Sequence, residues 1–398
     1  MTNLSNHKKI LILDHAGHTS QFDLALSLSK KNFNTLFSYT KKLSTPNALF
    51  QENEYLKIYP IELSKNFNKY NYLLRILDEI TLGIKQSRLI SLHKPDIVQS
   101  ANNPLISQLI IIFYCKIKKI TFINWITDLL GLGIYNTLKR KNIFLAYIVG
   151  NFFKKIEFIC AKNSNWNITI ANTFEKYLRE KGIKNINSVL NWAPYKEEDK
   201  KISHFFSNNG FNDKKVILFS GTLGKKHSIN ILFDIAKIIE SYEDYLLVVI
   251  TNPEIVDSLR IRSKSDKLDN IKFFPFQPAS DIYQIFKNSY VLLNILNSDS
   301  NFSVPSKVLS YIVAARPILL IMPEENEISQ MVIKNNLGLV VDNKNIDQLK
   351  ENLDLVLSDK ILREKLIHNN KSYSKNHFQS YSKLDEFIAV YKKIGIEL

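Results

Sequence analysis

KKVILFSG (214–221), then TLGKKHS (222–228), then NILFDIAKII (230–239) is the stretch on which the fold turns. An almost unbroken aliphatic run ends at Ser220. A turn with two glycines follows, and an amphipathic helical pattern takes over. An apolar run without polar alternation reads as a strand covered on both faces, which is the signature of a parallel sheet. The same unit recurs downstream in YLLVVITN (245–252), IKFFPF (271–276), YVLLNIL (290–296) and RPILLIM (316–322). Upstream, KKILILD (8–14) starts an equivalent series with a helical pattern from Gly17 to Lys30. Further apolar runs lie at 33–38, 56–61, 96–100, 120–126, 166–171 and 186–190. Strands alternating with helices in two successive series predict an α/β chain of two doubly wound, Rossmann-like domains. Their expected limits are 1–192 and 193–375, with a hinge in Asn191–Phe211 and a C-terminal helix over 376–398 that returns to the first domain.

A length of 398 residues, 45% hydrophobic and 23% charged, suits two domains with full cores. Cys115 and Cys160 lie in apolar stretches and form neither a zinc set nor a disulfide framework, which predicts a reducing, cytoplasmic setting. The N-terminal apolar run is cut short by Asp14, so no signal peptide is expected. The longest apolar segments, Leu105–Cys115 and Ile143–Phe153, are about half of what a bilayer crossing needs. Charge is distributed unevenly. Residues 1–200 carry 28 Lys/Arg against 15 Asp/Glu, whereas residues 201–398 carry 25 against 23. A basic first half predicts an anionic partner for that lobe.

Ligands of doubly wound folds bind outside the carboxyl ends of the strands, so the loops there hold the candidates. In LFSGTLGKKHS (218–228), Gly221 and Gly224 let an anion approach the backbone, and Lys225 and Lys226 precede the N–H groups of a helix. The alternative is an ordinary left-handed structural turn. In NFSVPSKVLSYIVAARPILLI (301–321), Pro305 opens a helix with Ser306 and Lys307 in its first turn. A lysine is unfavourable at the positive end of a helix dipole, and a bound anion would account for it. A solvated lysine is the plainer reading.

These segments, with FFPFQPASDIYQIFKNSYVLLNIL between them and VLNWAP (189–194) before them, resemble the nucleotide-sugar lobe of GT-B glycosyltransferases. More narrowly, they are similar to family 4 and its bacterial fucosyl- and fucosaminyltransferase-like branch, over residues 160–375. The resemblance implies two Rossmann-like domains facing across a cleft. It also implies that Lys226 and Lys307 act on the donor diphosphate, with Pro305 and Ser306 close to it. Gly221, Thr222 and Gly224 then form the donor loop, and Phe276 lies near the base. Thr222 stands where the family has an arginine, and Phe302 and Ser310 stand where it has two glutamates. Ser310 remains a donor-site position, and Glu327 is the expected replacement carboxylate.

The first domain would bind the acceptor. His15, Gly17 and His18 follow its first strand, and Asp128 follows TFINWIT (121–127). Asp128 is the candidate for orienting the attacking hydroxyl or stabilising positive charge on the sugar ring; capping the next helix is the structural alternative. No Asp-x-Asp occurs in the chain, so a metal-independent reaction is expected, with fixed positive groups stabilising the leaving diphosphate. No cofactor is expected beyond the donor, and no nucleic-acid module is recognisable.

The resulting expectation is a retaining glycosyltransferase, retention being implied by the resemblance. It would use a UDP- or GDP-sugar and a polyprenyl-diphosphate-linked glycan in O-antigen, capsule or exopolysaccharide synthesis. Its place would be the inner face of a bacterial plasma membrane, held peripherally by an anionic surface through KRKNIFLAYIVGNFFKK (139–155). A non-hydrolysing nucleotide-sugar epimerase and an inactive nucleotide-sugar-binding scaffold are the alternatives.

Overall fold

Each of the twelve apolar runs becomes a strand, and a further, thirteenth strand appears. The computed structural model describes residues 8–41, 50–63, 72–101, 103–193, 203–224, 228–297, 303–342, 345–378 and 380–395. The chain divides into two compact units, Met1–Asn191 with Ser380–Leu398, and Trp192–Gln379.

The first unit holds β1 (Lys9–Asp14), β2 (Asn34–Thr40), β3 (Leu56–Ile61), β4 (Ile97–Ala101), β5 (Thr121–Ile126), β6 (Trp166–Thr169) and β7 (Ile186–Ser188). They form one parallel sheet in the order β3-β2-β1-β4-β5-β6-β7. Chain direction across the sheet reverses between β1 and β4. Helix Ser380–Lys393 packs on helix Thr19–Lys30 within this unit. Its Phe387 ring meets Trp125 at 4.8 Å, and its Tyr391 hydroxyl donates to Gln99 Oε1 at 2.8 Å.

The second unit holds β8 (Lys215–Ser220), β9 (Tyr245–Thr251), β10 (Ile271–Pro275), β11 (Val291–Ile295), β12 (Ile318–Ile321) and β13 (Gly338–Val341), in the order β10-β9-β8-β11-β12-β13. Here the reversal falls between β8 and β11. β9 is buried along its whole length, as a strand covered on both faces must be. Sequence reading missed β13 because it is four residues long, opens on glycine and sits at the sheet edge, where burial is incomplete. Gly338 is dictated by packing, since a Cβ there would lie 2.4 Å from the Ile318 carbonyl oxygen.

Both cysteines are free and buried. Burial pushes the Cys115 thiol up to about 12 and the Cys160 thiol upward as well, so neither is a ready nucleophile at neutral pH. No helix among the described residues is long and apolar enough to cross a membrane.

Candidate functional site

In the second unit the loop after β8 opens at the point where strand order reverses, the place where doubly wound sheets bind ligands. Leu223 anchors it. That side chain is buried, and its N–H donates to Thr251 Oγ1 at 3.2 Å and Asn252 Oδ1 at 3.0 Å. Thr222 and Gly224 are exposed on either side of this anchor. Neither Gly221 nor Gly224 adopts a left-handed φ, so the ordinary left-handed turn does not account for them. A Cβ on Gly221 would meet nothing closer than the Phe219 ring at 3.7 Å, and one on Gly224 nothing within 4 Å. Packing among the described residues therefore requires neither glycine. Lys226 lies outside the described residues.

Helix Ser306–Val313 has Pro305 at its N-cap position and is bonded to the end of β8, where this loop begins. Tyr311 ties the two together. Its fully buried hydroxyl accepts from Ser220 N–H at 3.3 Å and donates to the Ser220 carbonyl at 3.2 Å. Its ring stands edge-on to Phe286 at 5.0 Å, and the Lys307 ammonium lies 5.6 Å from the centroid of that same ring. Burial holds Lys307 below the usual lysine range, and no carboxylate pairs with it among the described residues. Ser306 is exposed and Ser310 half-buried on the same helix.

A third piece joins from the end of β12. Asn326, buried, caps helix Glu327–Lys334 by accepting from Ile328 N–H at 2.9 Å. Its amide also donates to the Ser303 carbonyl at 2.9 Å. Glu327 is thus placed next to the segment leading into Pro305. Tyr311 ties the helix that carries Ser306, Lys307 and Ser310 to the end of β8, just before Gly221, Thr222 and Gly224, and Asn326 ties the start of the Glu327 helix to Ser303, two residues before Pro305. Phe276 stands apart, 48% exposed at the end of edge strand β10, two strands from β8. Phe302 lies outside the described residues. Tyr311, Thr251, Asn252 and Asn326 escaped sequence reading, although a tyrosine on the apolar face of a helix always raises the question of its hydroxyl's partner.

In the first unit the loop after β1 is organised by Asp14, which sequence reading passed over as a mere strand breaker. Asp14 is fully buried. It accepts from Ala16 N–H at 3.2 Å, from His18 N–H, and from the His18 ring at 3.3 Å. Gly17 has a φ of +67°, so the turn itself demands glycine there. His15 Nδ1 sits 3.0 Å from Thr40 Oγ1. Burial, with a contribution from Arg75, overcomes the pull of Asp14 and lowers the His15 pKa to about 4. At His18 burial also pulls the pKa down, but the hydrogen bond and charge of Asp14 outweigh it and leave it raised.

These shifts act in opposite directions on stability. His15 binds its proton in the unfolded chain at 6.5 but in the folded unit only near 4. Its contribution is complete above pH 6.5 and lost as pH falls toward 4. His18 contributes below its unfolded value and loses that contribution as pH rises through its folded one. His15→Asn should therefore remove about 2 kcal/mol of the stability loss between pH 7.5 and pH 5. Urea titrations of wild type and variant at both pH values measure this; parallel losses would refute the assignment.

Asp128 follows β5 and is exposed. It lines a cavity of about 120 Å³ together with Asn103, Gln108, Asn124 and Glu157. The amide at the start of helix Leu130–Lys139 is held by Glu157, whose Oε1 accepts from Gly131 N–H at 2.9 Å. Burial, against these backbone hydrogen bonds and with Asp128 adding to it, pushes Glu157 up to about 7. The floor of the cavity is a chain of buried amides in which Gln108 donates to Asn124 at 2.8 Å and Asn124 to Asn167 at 3.0 Å.

Residues 200–373, which lie almost wholly in the second unit, match the family described as Glycosyl transferases group 1. A stretch of 177 residues is 22% identical to the probable glycosyltransferase WbjE of Pseudomonas aeruginosa, covering 43% of this chain and 44% of that protein. The match therefore spans less than half the length of that relative. Among solved structures, Anabaena HepE in complex with UDP-glucose is similar with a TM-score of 0.70 and 13% identity, over 97% of this chain and 100% of its own. Sucrose-phosphate synthase from Thermosynechococcus elongatus is similar with a TM-score of 0.73 and 9% identity, over 98% and 99%. These likenesses show the fold, two Rossmann-like units of GT-B type.

Proposed function

We propose that the chain is a retaining, metal-independent glycosyltransferase that takes its sugar from a UDP- or GDP-sugar. One observation carries the reading. Two glycines that packing among the described residues does not require stand in the loop at the strand-order reversal, and the helix tied to the end of β8 by Tyr311 holds in its first turn Lys307, which pairs with no carboxylate among the described residues. A diphosphate explains all three features. Backbone N–H groups and Lys307 would receive its oxygens, and Lys226 would add charge from the adjoining segment. As the bond to the sugar breaks, negative charge grows on the departing diphosphate, and groups already fixed in place stabilise it without reorganising. Glu327, next to the Pro305 segment, would take the ribose hydroxyls, and Phe276 would lie toward the base. The acceptor, a polyprenyl-diphosphate-linked glycan at the cytoplasmic face of a bacterial membrane, would meet His15, Gly17, His18 and Asp128. The match to the group 1 family and the similarity to the probable glycosyltransferase WbjE both support sugar transfer.

A turnover assay with UDP- and GDP-sugars, with and without bacterial lipid extract, tests the reading. Glycolipid formed only with extract is the expected result. Epimerised donor without extract would replace transfer by epimerisation, and donor binding without any product would leave a binding scaffold. Asp128→Asn should keep donor binding and lower transfer at least tenfold; normal transfer in that variant would remove Asp128 from the acceptor site.

A further inference from the structure

Residues 139–155 contain five basic and no acidic side chains. Asn142 caps the turn Ile143–Leu145 by accepting from Phe144 N–H at 2.9 Å and Leu145 N–H at 3.1 Å. The chain continues through a π-helical turn, Ala146–Gly150, into helix Asn151–Asn163. Six of the eighteen exposed large hydrophobic residues among those described fall in these ten positions, 143–152. Ile143 and Phe144 are each 67% exposed and Tyr147 72%. A scattered exposed leucine needs no explanation, but a contiguous apolar patch marks a contact surface.

The patch is held rigidly. Helix Leu130–Lys139 runs antiparallel to the returning helix, and the two backbones touch at two glycines. A Cβ on Gly131 would lie 2.7 Å from the Phe153 carbonyl oxygen, and one on Gly150 would lie 2.8 Å from Tyr135 Cα. The Lys154 ammonium sits 4.4 Å over the Tyr135 ring and fastens the same pair. Ala146 and Gly150 face inward, so the larger side chains between them have no interior to turn into. Asp128 lies near the base of this hairpin, two residues before its first helix, and the apolar turn lies at its far end.

We propose that the hairpin tip 143–152 is a wedge that inserts into the surface of an anionic lipid bilayer. Ten helical residues span about 15 Å, enough to bury an apolar face at the headgroup boundary and too little to cross it. Lys139, Arg140 and Lys141 before the wedge, with Lys154 and Lys155 after it, would meet anionic headgroups. Charge favours lipid over a second copy of the chain. A two-fold self-contact through this tip would set two basic clusters against each other, since such a contact joins the same patch on both subunits. The inference deepens the proposed function by naming the surface on which a lipid-borne acceptor is met. It rests on exposure and charge rather than on donor chemistry, so vesicle binding and sugar transfer can fail separately.

The test is co-sedimentation of the full chain with phosphatidylcholine vesicles and with mixed phosphatidylcholine–phosphatidylglycerol vesicles. Binding should need phosphatidylglycerol and fade as salt rises. The combined variant Phe144→Ser, Tyr147→Ser, Ile148→Ser should bind at least tenfold more weakly with unchanged thermal melting. Replacing Lys139, Arg140 and Lys141 by serine should cost about fivefold per residue and flatten the salt dependence. A Tyr147→Trp reporter, which leaves the wedge apolar, should be quenched by brominated lipid. Binding that ignores lipid charge, an apolar variant that binds as wild type, or a reporter left unquenched would each overturn the proposal. So would a wild-type dimer that the apolar variant splits while vesicles remain unbound.

Discussion

Lys307→Ala should slow donor turnover ten- to a hundredfold and leave the folding of the second unit nearly untouched. The lysine occupies the first turn of helix Ser306–Val313, where the helix dipole already opposes a cation. Burial opposes the charge further, and the contact with Phe286 at 5.6 Å is a weak compensation. A residue kept charged against these terms is best used against an anion. A charged hydrogen bond is worth about 1.5–3 kcal/mol, and one that strengthens as the diphosphate leaves appears in turnover as about one to two decades. Stability should change little, because the side chain is only half-buried and its removal strands no polar partner among the described residues. Lys307→Arg should recover only part of the rate, since a planar guanidinium does not replace an ammonium at a point contact. Full turnover in Lys307→Ala at saturating acceptor would move the diphosphate elsewhere.

Phe387→Ala should cost the first unit about 3–5 kcal/mol, the usual price of emptying an aromatic from a core. Phe387 is fully buried and packs edge-on against Trp125 at 4.8 Å. Leu384, Val390 and Tyr391 of the same helix are also buried. The Tyr391 hydroxyl bonds to Gln99 in the middle of the sheet. Cutting out the ring therefore loosens a helix that belongs to the first unit although it follows the whole of the second. Two of the three tryptophans, Trp125 and Trp166, lie in the first unit, so tryptophan fluorescence in a urea titration reports chiefly on its unfolding. Hydrogen exchange of peptides from β8 to β12 should remain at the wild-type level. An unchanged fluorescence midpoint would show that the helix merely rests on the unit.

Much of the candidate site was legible because its parts are local. Gly221, Thr222 and Gly224 follow a strand within four positions, and Pro305, Ser306 and Lys307 are consecutive; strand ends and helix starts fix where such residues stand. What holds those parts together was hidden. Tyr311 reaches Ser220 across 91 positions, and Leu223 finds Thr251 and Asn252 after 28 and 29. Asp14 looked like the end of an apolar run, and only its complete burial shows it to be the residue that shapes the loop around His15 and His18. Glu157 had no signal at all. It is one acid in a lysine-rich helix until packing sets it against the Gly131 amide, 26 positions earlier.

The sequence by itself determined the parallel, doubly wound class, because strands buried on both faces must be apolar throughout and that property is written in consecutive residues. It also determined which loops lie at the carboxyl ends of the strands, where doubly wound sheets bind ligands, since those ends follow directly from the strand limits. Tertiary structure decided the rest. Strand β13 is a strand because Gly338 lets the chain approach β12 more closely than any side chain would allow. The segment 143–152 is apolar enough for a buried helix, and its composition alone does not separate burial from exposure. The contacts at Gly131 and Gly150 turn its small residues inward and leave its large ones in water. That choice depends on which helix lies alongside, and no run of neighbouring residues records it.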